Sequence, residues 1–203
     1  MADIFTKPQS DFAAWDLAHG LPLDLQEFDD DGNAVTMQAI QGVSFYHLFV
    51  TDVPKMQKTL GHDLPAQGRV LSTQQYFCLW AGPDQVLIMG DHIWVPPKEI
   101  PYISPQSDSR LAIAVSGAAV HDFLARIIAL DLDDHIFPHA STALCPLHHT
   151  PIQLLRWDSG AQAQYYMILP ASYAKSLWHY MAQIAAQFGV TANTTTITWQ
   201  EGV

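Results

Sequence analysis

Lysine and arginine are scarce in this 203-residue chain. Its nine lysines and arginines are outnumbered by 20 aspartates and glutamates, which gives a formal net charge of −11. Proteins that bind nucleic acids or anionic membranes cluster cations on one surface, and nine scattered bases supply no such cluster. The composition therefore argues against both nucleic acid and membrane surfaces as partners.

Cysteines, long apolar runs and targeting signals are also in short supply. No apolar run reaches the roughly 18 residues of a transmembrane helix. Residues 1–7 lack the basic and apolar regions of a secretory signal. The two cysteines, Cys78 and Cys145, stand in apolar surroundings and share no spacing motif, as is typical of reduced core thiols. We therefore expect a cytoplasmic protein without a disulfide.

Sequence motifs for catalysis are missing as well. The chain has no glycine-rich phosphate loop, no Gly-x-Ser-x-Gly elbow, no His-Glu-x-x-His pair and no Cys-x-x-Cys pair. No serine or lysine has an activating partner nearby in the sequence. We therefore assign no catalytic residue and no metal ligand to this chain, and we leave cofactor-binding residues unassigned.

Ten histidines still raise the question of a metal site. The densest group is His139, Cys145, His148 and His149. If residues 141–149 are extended, the neighbours His148 and His149 point to opposite faces of the strand, so one ion cannot easily take both. The sequence therefore predicts no metal site there.

Two His-Asp pairs and an acidic stretch are the remaining candidates for chemistry. The pairs His121-Asp122 and Asp134-His135 resemble the His-Asp pairs of metal phosphohydrolases, but the first falls on the polar face of a predicted helix. The acids of residues 131–134 follow that helix, where a solvated loop is favoured over a carboxylate pair for acid–base chemistry.

Hydrophobic periodicity predicts an α+β fold with largely antiparallel sheets, packed helices and two βαβ-type halves. In the first half, a short helix begins after Asp52 and ends at Gly61, and Gly-Pro-Asp at 82–84 predicts a hairpin. The β-type runs of this half are 35–40, 43–50, 74–81 and 85–89.

The second half begins with a β-type run at 111–115 and continues into an amphipathic helix at 118–128. Ser116 is the predicted N-cap, and Gly117 allows a tight turn whose free N–H groups can hold an anion. A closing helix at 172–188 is expected to begin at Ser172 and to stop at Gly189. One face of this helix is apolar, and we expect that face to be buried in the core. The apolar residues are Tyr173, Leu177, Tyr180, Met181, Ile184, Ala185 and Phe188.

These elements predict the following domain organisation. Residues 1–30 form an acidic extension, and residues 31–203 form one domain of two halves, at about 31–93 and 109–200. Four prolines between residues 94 and 109 predict a connector without regular structure between the halves.

Four motifs, taken in order, resemble the gamma subunit family of heterotetrameric sarcosine oxidase, which has the aminomethyltransferase-like folate-binding fold. They are Leu-Trp-Ala-Gly-Pro-Asp and its following strand at 79–89, Val-Ser-Gly-Ala-Ala-Val-His-Asp-Phe-Leu at 115–124, Leu-Asp-Leu at 130–132 followed by Phe137-Pro138 and Thr142, and the closing helix at 170–189. The resemblance covers residues 35–189. It departs from the family at 127–129, where Ile-Ile-Ala replaces Gly-Cys-Pro, and at His139, where a small residue is usual.

The resemblance implies a non-catalytic subunit that packs against alpha, beta and delta type subunits. Those partners would hold FAD, FMN, NAD and tetrahydrofolate and would oxidise sarcosine or a related N-methyl amine, while this chain binds no cofactor. Tyr102, Trp94 and Trp157 lie near predicted loops and are candidates for the centre of an interface. The alternatives are a stand-alone folate-binding or one-carbon-transfer domain and a metal hydrolase built on the histidines.

Overall fold

The structure is a computed structural model that describes residues 34–196, with side chains described to residue 190. The predicted extension at 1–30 lies outside the described residues. The elements in chain order are β1 (Val35–Gln41), β2 (Val43–Phe49), α1 (Val53–Leu60), β3 (Val70–Ser72), β4 (Tyr76–Gly82), β5 (Gln85–Asp91), β6 (Ile103–Pro105), β7 (Arg110–Ser116), α2 (Val120–Ile127), β8 (Ser141–Leu147), β9 (Thr150–Arg156), β10 (Gln164–Pro170), α3 (Ala174–Ala185) and β11 (Val190–Thr196).

These strands form two sheets. Sheet A has six strands in the order β11-β1-β7-β10-β9-β8, and sheet B has five in the order β3-β4-β5-β2-β6. Their strand pairs are antiparallel except for β1 and β11, which run parallel. The predicted α+β fold with largely antiparallel sheets is confirmed.

The sheets pack face to face, with helices on their outer faces. Small residues of β7, Ala112 and Ala114, meet large residues of sheet B such as Phe45 and Met89. Alternate residues on each strand point to opposite faces, so each sheet also has an outer apolar face. Helices α2 and α3 cover the outer face of sheet A, and α1 with Trp94 and Ile100 covers that of sheet B.

The first helix begins and ends at the residues that the sequence predicts. Asp52 caps α1 because its Oδ1 accepts a hydrogen bond from the Lys55 N–H at 3.0 Å. Gly61 ends the helix with φ 81° and ψ 10°, a left-handed conformation that favours glycine. The predicted hairpin is also present, and Asp84 takes a positive φ between β4 and β5.

Three predictions of local structure were wrong. Ser116 is not an N-cap but the last residue of β7, because it pairs there with Thr36 and Gln164. The 94–109 connector includes strand β6, which pairs at the edge of sheet B with β2. Pro105 has no N–H to donate to a neighbouring strand. It is compatible with β6 because an edge strand has no neighbour on its outer side. Tyr173 leaves the predicted buried stripe because a 3-10 turn precedes α3, and its side chain is 55% exposed.

Gly117 lies directly against the backbone at the start of β1. Its φ is +117°, and a Cβ at this position would lie 2.4 Å from the carbonyl oxygen of Ala34. That carbonyl accepts a hydrogen bond from the Ala119 N–H at 2.8 Å. The predicted tight turn is therefore present, and glycine is required by close contact between two backbones as well as by its φ.

We expect Gly117→Ala to destabilise the protein by about 3 kcal/mol, because it combines backbone strain with a clash that only main-chain movement can relieve. Gly61→Ala is the matched control, since Gly61 also has a positive φ but has no atom within 4 Å of its would-be Cβ. It should cost about 1 kcal/mol from the left-handed conformation alone. Urea unfolding of both variants measures the difference, and equal losses would contradict the close-contact explanation.

Candidate functional site

At the strand-to-helix turn after β7, three backbone donors are already bound within the chain. The Ala119 N–H is bound to Ala34, and the Val120 N–H donates to the Gly117 carbonyl at 3.2 Å. The Phe123 N–H donates to the Ala119 carbonyl at 2.9 Å. Since the backbone itself accepts from these donors, they are not available to a phosphate or carboxylate.

The four residues of the metal hypothesis do not converge. His139 precedes β8 and His148 follows it, so a seven-residue strand of roughly 20 Å lies between them. Burial raises the pKa of the Cys145 thiol to about 11. His148 and His149 occupy the turn after β8, and their rings touch with centroids 4.2 Å apart. The sequence argument that they point to opposite faces was therefore wrong, since they are not extended: His148 has φ 56°.

No group of three or more potential metal-ligating side chains was found within residues 34–196. Helices long and apolar enough to cross a membrane are likewise absent from this part of the chain. Cys78 and Cys145 are both buried and both free. Burial also raises the pKa of the Cys78 thiol to about 12, so it is protonated at neutral pH.

The most extensive buried polar cluster is built around Arg156, the last residue of β9. Its side chain is only 6% exposed and lies beside Tyr165 of β10, its cross-strand neighbour. The sequence did not indicate this role. The only local signal is that a charged residue ends the otherwise uncharged strand 150–156.

Protein acceptors take most of the donors of Arg156. Nε and Nη2 donate to the two carboxylate oxygens of Asp158 at 2.8 and 3.2 Å. Nη1 donates to Asp134 at 2.5 Å and to the Phe137 carbonyl at 2.8 Å. Two carboxylates and a carbonyl thus compensate the buried cation, and they fasten the loop before β8 to sheet A.

Electrostatics in this cluster follow from that arrangement. Burial alone would lower the pKa of Arg156, but hydrogen bonds to Asp158 and Asp134 outweigh burial and raise it. The hydrogen bond from Arg156 lowers the pKa of Asp134. Burial raises the pKa of Tyr165 to about 12, so the phenol stays protonated. The cluster therefore holds a neutral phenol and a compensated cation, and it offers no activated nucleophile.

The structure brings together parts of the two His-Asp pairs. His121 of α2 is hydrogen-bonded through Nε2 to the Tyr165 hydroxyl at 2.8 Å. Together with Asp122 and the acids of 131–134, it lines a cleft of about 400 Å³. Asp131, Asp133 and Asp134 are exposed in a loop, as the sequence predicts, and Asp134 in addition binds Arg156.

The other acids of this cleft serve the loop itself. Asp131 accepts a hydrogen bond from the Asp133 N–H at 3.0 Å, and Asp133 accepts one from the His135 N–H at 2.8 Å. Side chains that bond their own backbone two residues on stabilise turns. The cleft is therefore explained by loop structure, and it carries no paired acid and base.

A second cavity of about 610 Å³ lies where the turn after β8, the end of β10 and the start of α3 meet. Its walls are largely aromatic and apolar, and the side chains that line it include no Lys, Arg, Asp or Glu. They are His148, His149, Thr150, Pro151, Pro170, Tyr173, Ser176, Leu177 and Tyr180. An apolar surface of this kind suits contact with another molecule better than proton transfer.

The three aromatic candidates for an interface have different environments. Trp94 is buried and packs on Tyr46 and Tyr76. Trp157 is half-buried between Phe77 and His139. Tyr102 is the exception, because its side chain is 56% exposed.

Comparisons with solved structures support the fold, whereas comparisons of sequence find no match. No protein-family model and no curated protein matches this chain. Among solved structures, it is similar to a chain of the heterotetrameric sarcosine oxidase from Corynebacterium sp. U-96, in complex with pyrrole 2-carboxylate. The chains are 20% identical with a TM-score of 0.65, and the match covers 77% of this chain and 86% of the other.

The predicted resemblance to heterotetrameric sarcosine oxidase is thus confirmed at the level of the fold. Aspartate kinase from Synechocystis is also similar over 72% of this chain and 41% of its own, but at 8% identity and a TM-score of 0.22 it carries no argument.

Replacing Arg156 with glutamine should destabilise the protein by about 3 kcal/mol, because Asp158 and the Phe137 carbonyl would lose their donor in a poorly solvated place. Arg126→Gln is the control, since Arg126 is exposed and donates only to Gln187. Surface changes of that kind cost within about 0.5 kcal/mol. Urea denaturation compares the two, and equal effects would show that the Arg156 cluster is not structural.

The depressed pKa of Asp134 makes its contribution depend on pH. A carboxylate with a lowered folded pKa stabilises the protein fully above its unfolded pKa, and the contribution is lost as pH falls through the folded pKa. We therefore expect Asp134→Asn to be less stable than the wild type at neutral pH, and the two to converge in acid. A stability difference that stays constant down to acidic pH would exclude the Arg156 ion pair as its source.

Proposed function

We propose that this chain is a gamma-type, non-catalytic subunit of a heterotetrameric, sarcosine-oxidase-like flavoenzyme. The observation that carries the proposal is the fold match, which extends over 86% of a chain taken from a heterotetrameric sarcosine oxidase. The motifs at 79–89, 115–124 and 170–189 that carried the sequence resemblance all lie on regular elements of this fold.

Chain length supports a small subunit. The match covers a larger share of the other chain than of this one, so the matched chain is the shorter of the two. A large, cofactor-bearing chain would be covered only in part by 203 residues. The size relation therefore favours the gamma type over the large alpha and beta types.

The ionisable groups of the described part support a structural role. Arg156 is compensated by Asp134 and Asp158, and both cysteines are buried with raised pKa values. The Ala119 and Val120 N–H groups in the turn after β7 are bound within the chain. On this proposal, FAD, FMN, NAD and tetrahydrofolate are held by alpha, beta and delta type partners in the cytoplasm, where those partners oxidise sarcosine or a related N-methyl amine.

Co-expression tests the proposal. The full chain, produced together with the large flavoprotein subunits from the same source, should elute from a sizing column in one peak with flavin absorbance and fixed stoichiometry. A subunit that packs on its partners buries a stable interface, so the complex should survive dilution and chromatography. Separate peaks for the chain and the flavoproteins would contradict a subunit role.

Tetrahydrofolate provides the control for the alternative function. Calorimetric titration into the isolated chain should give no binding heat if folate is held by a partner. Saturable binding at micromolar concentration, together with separate elution, would favour a stand-alone folate-binding domain.

A further inference from the structure

A second arginine, Arg110, has an environment opposite to that of Arg156. It is the first residue of β7 and is half-buried, and its Nε donates to the Gln106 side chain at 3.2 Å. Within residues 34–196 no carboxylate forms an ion pair with it. A partly buried cation without a counter-charge is unfavourable unless a ligand supplies that charge.

His47 of β2 lies beside this arginine with an unused ring nitrogen. Its Nε2 is buried and has no hydrogen-bond partner. Burial and then the positive charge of Arg110 lower the pKa of His47, and Gln85 of β5 is its hydrogen-bonding neighbour. Geometry supports this proximity, because Gln106, which accepts from Arg110, donates its own N–H to the Phe45 carbonyl of β2 at 2.8 Å, two residues before His47.

Exposed aromatic residues surround this pair. The Phe49 ring stacks on His47 at 4.9 Å between centroids and is 44% exposed. The Phe49 N–H donates to the Tyr102 carbonyl at 3.0 Å, so the exposed Tyr102 adjoins the same edge. Arginine and aromatic residues around a desolvated centre are typical of the energetically dominant part of protein interfaces.

We propose that His47, Phe49, Tyr102 and Arg110, which we term the Arg110 patch, form a docking surface for a protein partner that inserts an aspartate or glutamate carboxylate. The carboxylate would accept hydrogen bonds from the Arg110 guanidinium, and its negative charge would favour protonation of the neighbouring His47. Apolar groups beside it would cover Phe49 and Tyr102. The proposal rests on the proposed function, because the partner is a neighbouring subunit of the complex.

The occupant follows from charge complementarity. Arg110 has a fork of donors that fits a carboxylate in a bidentate arrangement. In a chain of net charge −11, a half-buried cation that has no ion pair within residues 34–196 is a specific attachment point for an acidic group. A bound carboxylate would favour protonation of His47 and so would raise its pKa, which reverses the effect of Arg110 alone.

Titration with acetate tests carboxylate binding at the Arg110 patch in the absence of a protein partner. The full-length chain is titrated with sodium acetate against sodium chloride at equal ionic strength, and the His47 ring signals are followed by NMR at several pH values. We expect saturable shifts and a rise in the His47 pKa that Arg110→Gln abolishes and Arg126→Gln retains. Identical responses in wild type and Arg110→Gln would overturn the proposal, whether or not the chain forms a complex.

The complex tests whether the carboxylate belongs to a protein. Arg110→Gln and Tyr102→Ser should each raise the dissociation constant of the co-purified complex by about tenfold or more. Arg126→Gln and Tyr173→Ser are matched controls, since Tyr173 is as exposed as Tyr102 but lines the apolar cavity beside α3. We expect both controls to bind as the wild type does.

The outcomes separate the two proposals. If no variant changes a complex that forms, the Arg110 patch is not the docking surface, although the subunit role stands. Weakening by Tyr173→Ser instead of Tyr102→Ser would place the interface on the α3 side. If acetate binds but no variant weakens the complex, the Arg110 patch binds a small carboxylate, and the proposal of protein docking is overturned.

Discussion

Face-to-face packing of the two sheets is the constraint on which the rest of this structure depends. The central strand β7 can approach sheet B closely because Ala112 and Ala114 leave room for Phe45 and Met89. Both sheets then present a second apolar face, which helices must cover to bury it. Closure of sheet A also requires β1 to lie between β7 and β11, and Gly117 permits the backbone contact with Ala34 that this position imposes.

Charged side chains meet apolar surface at the ends of the two packed sheets. The two arginines there differ in how their positive charge is compensated. Arg156 is surrounded by acceptors from its own chain, so it stabilises a loop and has little capacity for a ligand. Arg110 lies at the other end of a strand pair, near His47, and donates to the Gln106 side chain, with no ion pair to a carboxylate within the described residues. Arg156 therefore stabilises the fold through its ion pairs. Arg110 leaves a positive charge that has no ion pair within the described residues.

Sequence patterns predicted those features that depend on near neighbours. The Asp52 cap, the Gly61 stop and the hairpin at 82–84 each rest on a few adjacent residues, and all three are present. The closing helix was also identified, because its stripe repeats over several turns.

What the sequence could not show depends on residues far apart in the chain. Asp134 and Arg156 are 22 positions apart, and His47 and Arg110 belong to different sheets that come together only when the sheets pack. Ser116 has the composition of an N-cap, yet its partners in β1 and β10 keep it in a strand. The edge position that makes β6 compatible with Pro105 is likewise a property of the sheet and is absent from the local pattern.

Hydrogen–deuterium exchange of the full chain, alone and in complex with its flavoprotein partners, tests the subunit account most directly. The account predicts that binding slows exchange at 47–53 and 102–110, around the Arg110 patch, while the loop held by Arg156 exchanges equally in both states. Unchanged exchange across the whole chain in the presence of those partners would contradict it.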